Sequence, residues 1–185
     1  MLRLIQSVAL CIGLLGFFTQ VNAKELYVFQ DAQLKAKDGK SAKVYLGVPV
    51  KVKKDMGKES KVVIHGFLDG DNLYSTKSKE LLIAKLDKGF KVIKKSASQV
   101  ELVGSIDNEL LTENAAEIWE EHEEFYFDMC SVCHAAPQVP HHTMIEWEAL
   151  FTPMVGFAKL DKEEASYLLR YIKSNASNGL VKVEH

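Results

Sequence analysis

A chain of 185 residues, 47% of them hydrophobic, can bury a proper core as one domain or as two small ones. That length excludes a tiny scaffold held together by disulfide or metal staples. The formal net charge of −2 conceals two halves of opposite sign.

The chain begins with a positive charge at Arg3, an apolar run from Val8 to Phe18, and small residues closing Val21-Asn22-Ala23. That order predicts a secretory signal peptide over residues 1–23, cut after Ala23. Left uncut, the same run approaches the length that a bilayer-spanning anchor needs. Cys11 lies inside this leader, and Leu10 stands where a lipoprotein signal would place a small residue, so Cys11 leaves with the leader. No other stretch is apolar enough to cross a membrane. The expectation is a bacterial protein exported to the periplasm, soluble there, and on the membrane only if the leader is retained.

Residues 24–106 hold 17 Lys against 10 Asp and Glu, a charge of +7. Short runs rich in β-branched and aromatic residues recur here: Leu26–Phe29, Lys43–Leu46, Val48–Val52, Lys61–Phe67, Leu81–Ala84 and Phe90–Ile93. Turn signals at Asp38-Gly39, Met56-Gly57 and Asp69-Gly70-Asp71-Asn72 separate them, which predicts a small antiparallel barrel. The stretch Gly47-Val48-Pro49-Val50, the charged turn after it, and Val62-Val63-Ile64 resemble bacterial SH3-like domains. The lysine excess suits an acidic partner, the protein's own acidic half, or a plain solvated surface. It lacks interleaved aromatics, so nucleic-acid binding is not expected.

Residues 107–185 reverse the balance, with 5 Lys and Arg against 15 Asp and Glu, a charge of −10. From Thr112 onward the apolar period lengthens: Ala115, Ile118, Trp119, His122, Phe125, Tyr126 and Met129 recur every three or four residues, with glutamates between them. That spacing predicts an amphipathic helix leading into a cysteine pair. A second helix is announced by Asp161 as N-cap, Glu164 three residues on, and Ala165, Leu168, Leu169 and Ile172 along one face, with Gly179 soon after its end.

Between these helices stands Cys130-Ser131-Val132-Cys133-His134, the spacing of c-type haem attachment. One helical turn sets the two thiols to add to the two vinyl groups, and the adjoining imidazole then falls beneath the iron. A thioredoxin-like pair would need a strand-to-helix turn in a βαβ pattern, which is absent. A zinc site would need two more ligands, which His141 and His142 could supply. The motif and the exported context favour one covalently attached haem c. His134 would bind iron as the neutral imidazole while its other ring nitrogen donates to a fixed acceptor, for which the Pro137 carbonyl is in place. The candidates for the sixth ligand are Met144, Met154, His141 and His142. Each also has an ordinary reading, as core filler for a methionine or solvated loop residue for a histidine.

The run Cys130 to Pro137, then His141-His142-Thr143, Glu146-Trp147, Met154 and Gly156-Phe157, resembles the monohaem C-terminal module of the pentahaem trimethylamine-N-oxide reductase cytochrome c family (TorC-type). It is similar as well to small periplasmic cytochromes with the same series, and the resemblance covers roughly residues 112 to 176. It implies Met154 as axial ligand and Trp147 beside the porphyrin. The family places an anchor and four further haems before this module, whereas this chain has one haem motif and a barrel-like segment. It therefore cannot be the multihaem quinol oxidase itself.

The fold class expected is α+β in two small domains: an SH3-like β-barrel over 24–106 followed by an all-α class I-like cytochrome c domain over 107–185. The function expected is electron transfer rather than enzymatic turnover. The resemblance implies an anaerobic respiratory chain, with a quinol-oxidising donor and a molybdenum-containing (molybdopterin) reductase of trimethylamine N-oxide or dimethyl sulfoxide as acceptor. The alternative is a haem-based sensor or ligand-binding protein with a displaceable sixth ligand.

Overall fold

The structure, a computed structural model, describes residues 24–181. The leader expected over residues 1–23, Cys11 included, lies outside the described residues. Among the described residues no helix is long and apolar enough to cross a membrane.

Strands come first, and period-two alternation makes them. In β2 (Ala32–Lys35) Ala32 and Leu34 are buried while Gln33 and Lys35 face water. The other strands are β1 (Glu25–Val28), β3 (Ser41–Val44), β4 (Pro49–Asp55), β5 (Glu59–Asp69), β6 (Asn72–Tyr74), β7 (Leu82–Leu86), β8 (Ile93–Lys94), β9 (Gln99–Asp107) and β10 (Leu111–Thr112). All their pairings are antiparallel. The path β5-β6-β7-β3-β2-β9 returns to β5 and closes a six-stranded barrel, with β4, β1 and β10 continuing outward from β5 and β8 from β9. Closure removes the free edges that an open sheet of these strands would expose. β9 buries Val100, Leu102 and Ile106 at alternate positions and pairs with β5 along its whole length, from Gln99↔Phe67 to Asp107↔Glu59. The interior is filled by the chain itself, with Leu34, Val44, Val62, Leu73 and Leu102 all fully buried.

Three helices follow: α1 (Ala115–Cys130), α2 (Met144–Phe157) and α3 (Lys162–Asn175). Asn114 caps α1 by accepting from the Ala116 N–H. Both α2 and α3 start with complete capping boxes, Thr143 with Glu146 and Asp161 with Glu164. All five glutamates in α1 are exposed, and the buried set is Ile118, Trp119, His122 and Tyr126, as the 3.6 period requires.

The expected fold class does not hold. An SH3-like barrel followed by a separate all-α class I-like cytochrome c domain is replaced by a mainly-β fold: among the described residues, ten strands in one antiparallel sheet and three α-helices. The sheet runs past residue 106, because β10 pairs with β1 through Tyr27↔Thr112 and Val28↔Leu111. One hydrophobic core is continuous from Val28 and Val48 in the strands through Trp119 and Tyr126 to Leu168 and Ile172 in the helices. The physical reason is that the helices do not bury their apolar faces on each other alone. Trp119 lies on Gly47, whose φ of +78° and lack of a Cβ let the indole approach the backbone, and any Cβ there would collide with the ring. Arg170 of α3 donates through Nη2 to the Leu46 carbonyl at 2.6 Å and through Nη1 to the Leu82 carbonyl at 2.5 Å, and its guanidinium lies over the Tyr45 ring.

Candidate functional site

α1 ends on Cys130, and the chain then leaves as a loop through Cys133, His134 and Pro137 before a 3₁₀ turn at Val139–His141 and α2. Against this loop α2 turns Trp147, Leu150, Phe151, Met154 and Phe157, and α3 adds Ile172. Together they enclose a cleft of about 540 Å³. Its volume lies within the range usual for cofactor sites, and so does its apolar lining. Four apolar side chains on it stand open to solvent: Phe157 at 79%, Val132 at 78%, Leu150 at 47% and Met154 at 39% exposure. An exposed apolar patch of this kind marks a surface made to be covered.

Six residues singled out in the sequence meet on this one cleft: Cys130, Cys133, His134, Pro137, Trp147 and Met154. Trp147 is buried and donates from Nε1 to the Val139 carbonyl at 2.7 Å, which fixes the indole plane. Met154 follows Pro153 inside α2. Proline has no N–H to give the carbonyl four residues back, and Thr152 Oγ1 donates to the Glu148 carbonyl at 2.6 Å one turn earlier. The other candidates for a sixth ligand stand elsewhere. Met144 is fully buried in the core, His141 is exposed on the 3₁₀ turn, and His142 sets its ring edge against Trp147 at 5.1 Å.

The His134 ring is exposed, with Nδ1 2.9 Å from the Ala135 carbonyl. The carbonyl of Pro137, expected to face His134, instead accepts from Tyr126 Oη at 2.6 Å. Tyr126 is a residue the sequence reading left as helix filler. It is buried on the cleft wall one turn before Cys130, and its hydroxyl bridges from α1 to the far side of the attachment loop. Burial pushes its phenol well above the ordinary range.

The two thiols are free. Burial raises the Cys130 thiol, and its place at a helix C-terminus adds the unfavourable end of the dipole. An activated dithiol of the thioredoxin kind needs the reverse setting, a thiolate stabilised at a helix N-terminus or beside a cation. Among the described residues no three His, Cys, Asp or Glu side chains gather as a metal-holding group, so His141 and His142 do not complete a zinc set with the cysteines. Haem fits what is present: two free thiols one turn apart, an adjoining exposed imidazole, and an open apolar slot with a thioether in its lining.

No family model and no solved structure matches the chain. Over 61 residues, 33% of this chain, it is 38% identical to the cytochrome c-type protein TorC of Escherichia coli (strain K12), and equally to that of Escherichia coli O157:H7. The aligned stretch spans 16% of each relative's length. Part of this chain is thus similar to part of a c-type cytochrome, a likeness consistent with a haem-binding, electron-carrying role.

Proposed function

We propose that the chain is a monohaem c-type cytochrome that carries electrons in the periplasm, within an anaerobic respiratory chain. The carrying observation is that Cys130, Cys133, His134 and Met154 line one apolar cleft. Bound there, haem c supplies a reversible one-electron couple. Cys130 and Cys133 would retain it through thioether bonds, His134 would ligate the iron as neutral imidazole, and Met154 would supply a second ligand. Trp147, Phe151 and Tyr126 line the slot with apolar surface, and a thioether ligand favours a higher potential than a second imidazole. With His134 and Met154 both held by the cofactor, no group on the cleft would be left to transform a substrate, which makes the protein a carrier rather than an enzyme in this reading. The exposed glutamates of α1 would steer encounter with a basic partner surface. The resemblance to the trimethylamine-N-oxide reductase cytochromes supports a quinol-oxidising donor and a molybdenum-containing reductase as acceptor. Residues 107–185 form the haem-bearing part, and residues 1–23 the export signal.

The test is the optical spectrum of the purified protein, oxidised and reduced, with and without carbon monoxide, beside Met154→Ala. A low-spin spectrum indifferent to the gas, with a weak far-red ferric band that the variant loses, supports the carrier. A high-spin spectrum or prompt gas binding points to the second reading, a haem-based sensor, which the position of Met154 just past Pro153 and its partial exposure favour.

A further inference from the structure

The cleft's helices are tied together through the barrel. The hub is Glu80, in the turn between β6 and β7. Its carbonyl accepts from Lys173 Nζ at 2.8 Å, and its carboxylate accepts from Asn178 Nδ2 at 3.3 Å. Lys173, on α3, is 7% exposed and also reaches Glu148 Oε2 on α2 at 2.5 Å. Asn178 in turn accepts the Met144 N–H at 2.8 Å, the first residue of α2. One barrel residue thus holds α2 at its start through Asn178 and at its middle through Lys173.

Two independent features indicate that this arrangement is maintained against a cost. A lysine is almost never this buried unless paired, and Lys173 spends its charge on a carboxylate and a barrel carbonyl rather than on water. Next to Glu80, Lys79 holds a left-handed backbone with φ of +62°, a conformation that non-glycine residues rarely keep. It is pinned there by Lys79 N–H to the Thr76 carbonyl at 3.1 Å, Glu80 N–H to Thr76 Oγ1 at 3.2 Å, and Lys79 Nζ to Asp69 Oδ2 at 2.6 Å.

We infer that Lys173, with Glu148 and the barrel turn at Glu80, positions α2 so that Met154 faces the cleft, making the barrel part of the haem site's ligation machinery. The inference rests on the proposed ligand role of Met154. Lys173 does not line the cleft, so it acts through α2: the helix held by the Lys173–Glu148 pair runs on through Pro153, which gives up one N–H donor, and Met154 is the next residue. With the clamp intact, the cleft wall bearing Met154 is set by the barrel. Without it, α2 loses its tie at Glu148, and the thioether loses its fixed distance from the attachment loop.

The experiment compares the haem-loaded full chain with Lys173→Met, Lys173→Arg, Glu148→Ala and Met154→Ala. The readouts are the ferric far-red band, the midpoint potential, carbon monoxide binding by the reduced form, and circular dichroism to verify folding. The expected result is loss of the band, a shifted potential and new gas binding in folded Lys173→Met and Glu148→Ala, with the band restored in Lys173→Arg. Should Lys173→Met fail to fold, Glu148→Ala decides, since its half-exposed carboxylate can be removed without emptying the core. A band lost in Met154→Ala yet unchanged, with the potential, in folded Glu148→Ala and Lys173→Met overturns the positioning role alone. A band that survives Met154→Ala overturns the ligand assignment and the positioning role together.

Discussion

The barrel and the helices that line the cleft bury apolar surface in opposite ways. Inside the barrel every inward position is met by another side chain, so Leu34, Val44, Leu73 and Leu102 have no exposed surface left. Along the cleft Val132, Leu150 and Phe157 face solvent although they are as apolar as the barrel's residues. A core closed by its own chain needs nothing further, whereas a wall of exposed apolar groups beside two thiols is completed by something the chain does not encode. The first region is closed by its own chain, and the second leaves an open apolar slot that would take the proposed haem.

The sharpest way to break that comparison is to remove the attachment chemistry. Cys130→Ala with Cys133→Ala should abolish covalent haem, read as loss of the haem mass from the denatured chain, while the barrel still folds by circular dichroism. A chain that keeps covalent haem in this variant would refute the site. Next in size is the seam between the regions. Gly47→Ala places a Cβ into the Trp119 ring at a φ of +78°, and overpacking and backbone strain together should cost about 3 kcal/mol, or about 6–12 °C in melting temperature. An unchanged melt would mean that the helices do not seat on the barrel as described.

A pH dependence sharpens the same seam. His122 is buried between Trp119 and Tyr167, with its ring stacked on Tyr167 at 3.7 Å, and burial lowers its pKa from 6.5 to about 4. Between those values the unfolded chain binds the proton and the folded chain does not. Stability should therefore fall as pH drops from 6.5 toward 4 and level off below, and His122→Gln should lose that component of the slope in denaturant titrations. Tyr126→Phe removes the hydroxyl that holds Pro137 and should cost about 1 kcal/mol, with a spectral change at the haem and none in the barrel's strand signal. The smallest effect is electrostatic: electron exchange with a basic redox partner should slow as salt rises from low to physiological strength, because the exposed α1 carboxylates act through screened fields.

Much of the local structure was legible in the chain. The period change near Thr112 gave α1, and Asp161 with Glu164 gave α3, because helix caps and amphipathic faces are written within a few residues. α2 escaped although Thr143 and Glu146 spell the same capping box, since Pro153 and an almost wholly apolar sequence leave no clean polar face. β9 escaped too, despite the alternation of Val100, Leu102 and Ile106, and it is the strand whose long pairing with β5 closes the barrel. The expectation of an all-α second half misled for a related reason. A charge reversal near Ile106 marks surface composition, and surface charge says nothing of which apolar faces pack together.

The sequence by itself carries a motif confined to five consecutive residues: the spacing of Cys130 to His134 is that of c-type haem attachment, two thiols and an adjoining imidazole. It also determined where strands alternate and where two of the helices are capped. Only the tertiary structure decided that β5 meets β9 across some forty residues, that Trp119 finds Gly47, and that Arg170 and Lys173 reach barrel carbonyls about ninety residues or more away in the chain. Those contacts carry no periodicity, because each depends on one residue meeting one distant backbone group. Of Met144, Met154, His141 and His142, only Met154 lines the cleft with Cys130, Cys133 and His134, a placement that no local pattern in the sequence shows.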